Sequence, residues 1–320
     1  MILSFTNQYK YLGITINNKG NFKDHITNTK GKVEVATQTI LNFSMADEYK
    51  KVQMETILKL HRTCTIPIIT YSTEACPLTE QEISKLNTIN SKALKRLINT
   101  PKSAPNVAVR TETALQTINE AIEEKQINYY RKQILHEHDH YLLKTTWENK
   151  MTNKTLPKYQ LTKANLEDNG ATKFKNLLQL KKNSVSFNSL TKESGTKTKH
   201  IVASRQPHNI NKTPNYMKKL TRTQSSAIFN LRCNMLKIRD NFRKESRDLS
   251  CRWCAHESET QEHILNHCQE FKPITQTMNI QDIINDNHNS LKREANQIIK
   301  LIKKLEEKTL IHTPNQTQNP

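Results

Sequence analysis

Residues Cys251–Cys268 read CRWCAHESETQEHILNHC, and the rest of the chain is organised around this stretch. Two residues separate Cys251 from Cys254, so one tight turn can present both thiolates to a single cation. His263 and Cys268 complete a set of three sulfurs and one imidazole. Structural zinc sites are closed by such tetrahedral sets, with no position left for water. The stretch therefore predicts a small helical domain around a structural Zn2+, not a hydrolytic centre.

The fourth ligand depends on helix geometry. Ser258-Glu259-Thr260-Gln261 reads as a capping box, which puts His263 in the first turns of a short helix. Residues four apart share a helix face and residues five apart do not, so a regular helix would offer His267 in place of Cys268. Cys268 is preferred because zinc takes a thiolate readily and a loosened last turn can deliver it; His267 is the alternative. The rival reading is a set of buried free cysteines beside a solvated histidine.

Composition narrows the class. The chain has 320 residues and a net charge of +19, and 35% of it is hydrophobic, enough for about two modest cores. Between Ala171 and Ser250 there are 18 Lys and Arg against four acidic residues, a surplus of 14. Charge of one sign at that density favours a polyanion, and nucleic acid is the default candidate. No apolar run reaches the ~20 residues that span a bilayer, so no membrane partner is expected. MILSFTNQYK is too short for a signal peptide, and six cysteines, four of them in or close to the metal pattern, suit a reducing compartment. A nuclear or cytoplasmic location is expected.

With five glycines the chain should be mainly helical. One strand signal stands out: Tyr9–Ile16 (YKYLGITI) alternates, and the Asn17–Gly20 turn after it reads as a hairpin. Helical periodicity covers His25 to about Ser44 and Glu48–Leu60, and Pro67 interrupts any helix beyond. Thr79–Glu82 is a capping box ahead of an amphipathic helix carrying Ile83, Leu86, Ile89, Ala93 and Leu97. A longer helix follows, roughly Thr117–Trp147. Residues 151–213 read as a basic polar linker with a helical candidate at Phe174–Leu180. Thr213-Pro214 starts a helix through Met217, Leu220, Ile228 and Leu236, and Leu291–Leu305 forms the last one.

His136–His140 (HEHDH) satisfies the H-E-x-x-H pattern of zinc proteases. No third ligand stands out, because Leu143 and Thr146 occupy the positions where the extended form needs Gly and His. A solvent-facing histidine cluster is the favoured reading. A protease would need activity that disappears on Glu137→Gln.

Three landmarks in order carry a resemblance. Tyr9-Lys10-Tyr11-Leu12-Gly13 resembles the segment after the catalytic palm in reverse transcriptases of non-LTR (LINE-type) retrotransposons, where the hairpin helps hold the primer end. LHRTCTIPIITYSTEACPLTEQEISKLNTINSKALKRLI resembles that family's helical thumb. An arginine-bearing helix followed by C-x2-C and E-T-x-x-H-x4-C is similar to its C-terminal zinc-binding domain, here Arg222, Arg232, Cys251, Cys254, Glu259, Thr260, His263 and Cys268. Cys76 stands where the family usually has tryptophan, and Ser72 where glycine is common.

The resemblance implies a palm-end hairpin (1–24), a thumb-like helical domain (25–150) and a helical zinc-binding domain (214–308); composition adds the linker (151–213) and a low-complexity, disordered tail (309–320). It implies a C-terminal fragment of an RNA-directed DNA polymerase that binds primer–template and element RNA or target DNA. Its partners are RNA, DNA and the missing palm and endonuclease parts. The paired aspartates that hold Mg2+ in the intact parent occur nowhere in the 320 residues, so this chain alone is expected not to polymerise. Tyr11, Leu12 and Gly13, with Lys218, Lys219, Arg222, Arg232, Arg239 and Arg243 of the basic segment, are the expected nucleic-acid contacts. The alternative is a stand-alone zinc-containing nucleic-acid-binding protein derived from such an element.

Overall fold

Leu12 (φ +46°) and Gly13 (φ +87°) make the first reversal of the chain. Two successive positive φ values match the primed two-residue turns whose twist suits paired strands. Gln8–Tyr11 and Ile14–Asn17 accordingly pair antiparallel, with Tyr9 opposite Ile16 and Tyr11 opposite Ile14. The hairpin thus turns inside the Tyr9–Ile16 run. The Asn17–Gly20 turn also forms, its Gly20 N–H on the Asn17 carbonyl at 3.1 Å, and leads into the first helix. The computed structural model describes residues 6–45, 52–74, 78–135, 148, 150–167, 170–192, 195, 197–206, 209–242, 248–255, 258–286 and 291–308. The HEHDH cluster, Cys76, Arg243 and the tail from Thr309 lie outside them.

The hairpin is tied to the helical part at its tip and at its exit. The Tyr71 hydroxyl donates to the Leu12 carbonyl at 2.7 Å, and a Cβ on Gly13 would lie 3.2 Å from the Tyr71 ring. Phe22 N–H donates to Glu82 at 3.0 Å, the same carboxylate that closes the Thr79 capping box. Helices Lys23–Met45 and Glu80–Leu97 pack together, burying Ile26, Val33, Leu86 and Ala93 around Ile118.

Proline behaves differently from expectation. Met54–Leu60 runs through a π turn, His61–Thr65, into Ile66–Ile69, and Pro67 does not interrupt it. The Ile66 N–H reaches back five residues to the His61 carbonyl. The widened turn gives room where the proline ring would otherwise strike the preceding turn, and proline has no N–H to place. Met151–Thr155 repeats the device ahead of Leu156-Pro157.

The segment read as a linker is folded. Helices Lys163–Glu167, Ala171–Lys192 and Lys199–Ala203 occupy it, so the Phe174–Leu180 candidate is the middle of a longer helix. Met151, Leu156, Tyr159, Leu166 and Phe174 bury together against Ile127 and Tyr130 of the Ile118–Leu135 helix. A few large apolar side chains, widely spaced among lysines and asparagines, are enough to seat it.

The helix expected to start at Thr213-Pro214 is broken. Asn215–Lys219 ends at an extended Leu220, and Thr221 caps Arg222–Arg232 with its own capping box to Gln224. The break frees the Leu220 carbonyl to accept the Met54 N–H at 3.0 Å, joining two segments far apart in sequence. One core then runs from Ile40, Ile57 and Leu97 through Tyr216 and Phe229 to Phe271, Ile298 and Leu305. Packing therefore crosses the boundary expected at 214, and the last helix, Leu291–Glu306, contributes its apolar face to that core.

Candidate metal centre

The Cys251–Cys254 turn is closed by the Ala255 N–H on the Cys251 carbonyl at 2.9 Å, with Ala255 at φ +62°. Glu259 holds the turn from behind. Its wholly buried carboxylate accepts from the Arg252 backbone N–H at 2.9 Å, from the Arg252 guanidinium at 2.6 Å and from the Arg239 N–H at 3.2 Å. Arg252 also donates to the carbonyls of Lys237 and Leu305, fastening the turn to the end of the last helix.

Thr260, not Ser258, starts the next helix: its hydroxyl accepts the His263 N–H at 3.0 Å. Ser258 instead bridges to Ser250 beside the cysteine turn. His263–His267 is a π turn, and Cys268 N–H donates to the His263 carbonyl at 2.8 Å. A five-residue hydrogen bond aligns residues five apart, which a regular helix does not. Cys268 is thereby brought to His263, while His267 is exposed.

Ligand atoms of Cys251, Cys254, His263 and Cys268 all lie within 4.8 Å of one another, and the cluster could hold a metal ion. Cys251 and Cys268 sulfurs are 3.8 Å apart, and Cys254 Sγ is 3.3 Å from His263 Nε2. Two sulfurs ~2.3 Å from a tetrahedral zinc would be ~3.8 Å apart, so these edges are compatible with it. Burial pushes the Cys251 thiol up, and the Cys268 thiol up to about 12, so ionising them needs a cation nearby. Four protein donors already complete a tetrahedral set, which suits holding structure.

Trp253, inside the turn, is covered. Its ring meets Phe271 edge-on at 5.4 Å, and Lys308 and Lys304 lie over the indole at 4.4 and 5.5 Å. It is unavailable for stacking on a base in this arrangement.

The expected nucleic-acid contacts separate into two groups. Tyr11 and Leu12 are exposed on the hairpin, Gly13 sits at its turn, Lys219 is exposed and Lys218 half-buried. The arginines are turned inward. Arg232 is 1% exposed and donates to Glu112 at 3.0 Å, to the Ile283 carbonyl at 3.1 Å and to Ser204 at 3.0 Å. Arg239, also buried, donates to Asp248 at 2.6 Å and to the Ser250 carbonyl at 2.9 Å. Arg222 covers the end of helix Glu80–Leu97, donating to the Leu97 and Arg96 carbonyls. Arg232 and Arg239 are thus corrected from phosphate contacts to structural ties, and Arg222 is largely committed.

Arg252 was missed by sequence reasoning. An arginine between the two cysteines of the C-x2-C turn, seven residues before the glutamate that it meets, was the available signal. Glu112, which joins Arg232, Arg205 and Tyr216 in one buried network, carried none.

Comparison with protein-family models, with curated proteins and with solved structures finds no match. Among the described residues no helix is long and apolar enough to cross a membrane.

Proposed function

We propose that this chain binds RNA or DNA through backbone phosphates, as the palm-end hairpin, thumb and zinc-binding C-terminal part of a non-LTR retrotransposon reverse transcriptase. The observation that carries the reading is the closed Cys251, Cys254, His263, Cys268 cluster set in a strongly basic chain. Zinc is the metal assigned to it, since three thiolates and an imidazole select zinc among common cations. In this reading its function is to hold the turn, Phe271 and the last helix together.

Two features of the N-terminal half support the family assignment. The hairpin tip is fixed to the thumb-like part through Tyr71, a geometry suited to presenting Tyr11 and Leu12 as a rigid unit. Ser72, at the position where the family commonly has glycine, has φ +56°, a conformation glycine adopts without steric cost. A second reading, a stand-alone zinc-containing binding module, is favoured by the core that runs from Ile40 to Leu305.

The test is binding of the purified, zinc-loaded chain to labelled RNA and DNA over a salt series. Affinity should fall steeply with salt. Lys218→Ala with Lys219→Ala should flatten the duplex-DNA slope by about two if both touch phosphate. Absence of binding, or binding indifferent to salt, would refute the reading.

A further inference from the structure

A cleft of about 570 Å³ opens between the 99–103 loop, helix Arg222–Arg232, the 235–241 segment and the last helix. Its volume falls in the range of roughly 300–1,000 Å³ typical of small-molecule sites. Neither the metal cluster's ligands nor any of the residues expected to contact nucleic acid line it.

Its lining combines three kinds of group. Met235, Leu236, Ile299 and Ile302 provide an aliphatic surface. Lys197 and Lys303 line it and pair with no carboxylate among the described residues, whereas Lys237 is matched by Glu306. The third kind is a pair of amides whose orientations are set by the chain itself. Thr100 Oγ1 donates to Asn230 Oδ1 at 2.7 Å, which leaves the Asn230 NH2 as a donor. Asn241 Nδ2 donates to the Leu236 carbonyl at 2.8 Å, which leaves Asn241 Oδ1 as an acceptor.

A held donor and a held acceptor in one cleft match the paired groups on a nucleobase edge. The aliphatic surface matches the flat face of the base, and the two lysines match the charge of its phosphate. We propose that this cleft takes a single unpaired nucleotide of an RNA or DNA strand. A duplex cannot enter it, because a paired base has its Watson–Crick edge occupied and its faces stacked. The inference rests on the nucleic-acid reading above and adds to it a preference for single strands.

The experiment is fluorescence anisotropy of the full zinc-loaded chain with a short single strand, as RNA and as DNA, and with the matching duplex. Asn230→Leu removes the donor, and Ile302→Trp fills the cleft from a half-buried position. Each should weaken single-strand binding about tenfold, the order of one lost base contact, and leave duplex affinity within about twofold. Lys303→Ala, at an exposed position, serves as a third variant should either of the others fail to fold by thermal melting. Folded variants with unchanged single-strand affinity, or with equal losses for single strand and duplex, would overturn the cleft assignment alone. A wild-type chain that binds neither form would sink the nucleic-acid reading with it.

Discussion

Arg232 provides the sharpest test of how the structure departs from a surface-charge picture. Its guanidinium joins Glu112, which is fully buried, to the carbonyls of Ile283 and Ile284 and to Ser204. Arg232→Met keeps much of the volume and removes the charge. It leaves Glu112 with Arg205 at 3.1 Å as its remaining cation, and strips the buried Ile283 carbonyl and the half-buried Ile284 carbonyl of a donor. Removing one partner of a buried pair costs about 3–5 kcal/mol, and Arg205 keeps the value toward the lower end. That is a large fraction of a typical folding free energy. Burial works against the Glu112 charge, yet Arg232 and Arg205 hold its carboxyl below the usual carboxylate range. Its contribution is therefore complete above the unfolded value of 4.5 and is lost as pH falls through the lower folded value. Urea unfolding followed by circular dichroism at neutral pH should show a markedly lower midpoint for Arg232→Met, with the difference from wild type shrinking in acid. At temperatures where the variant is folded, its salt slope for nucleic acid should match wild type. An unchanged midpoint together with a flatter salt slope would refute the argument and restore Arg232 as a phosphate ligand.

Two further outcomes are expected. Cys268→Ser should lose the bound metal in elemental analysis while His267→Ala keeps it, because the π turn aligns Cys268 with His263; the opposite result would mean that the turn is regular in solution. Burial, outweighing the hydrogen bond to Asn90, pushes His61 down from 6.5 to about 4. The unfolded chain then takes up a proton that the folded chain refuses, so stability should fall as pH drops from 6.5 to about 4 and level off below. His61→Gln should flatten that window by up to about 1.4 kcal/mol per pH unit, and an unchanged slope would count against a buried neutral His61.

Periodicity and spacing made much of this molecule legible. The candidate ligand cluster, the Thr79 capping box, the amphipathic Glu80–Leu97 and Leu291–Glu306 helices and the existence of the hairpin follow from local rules. What escaped follows from backbone forms with no repeating signature. A π turn shifts the face by one residue at a single point, so neither the Pro67 helix nor the His263–Cys268 alignment could be read from a 3.6-residue period. The Leu220 break has a local signal, Thr221 three residues before Gln224, but an apolar stripe continuous from Met217 to Leu236 masked it. In 151–213 the polar residues outnumber the apolar ones, yet Tyr159, Leu166 and Phe174 are buried, and burial of a few large side chains decides the outcome.

Charge density likewise says less about location than it does about partner class. Of the arginines in the basic segment, Arg205, Arg232 and Arg239 are buried among carboxylates and carbonyls. Their planar, multi-donor heads suit that work better than a lysine ammonium, which is strongly hydrated and stays near water. The lysines at 218 and 219 sit on a five-residue helix nearer the surface, and Lys303 is exposed on the last helix. Arginines thus make most of the internal ties in this segment, Lys182 with Glu124 at 2.6 Å being the buried lysine among them, and the remaining exposed lysines carry the external field. Phosphate contact should accordingly track the lysines of this segment more closely than its arginines, and the salt slope of the Lys218 and Lys219 variants reads that division directly.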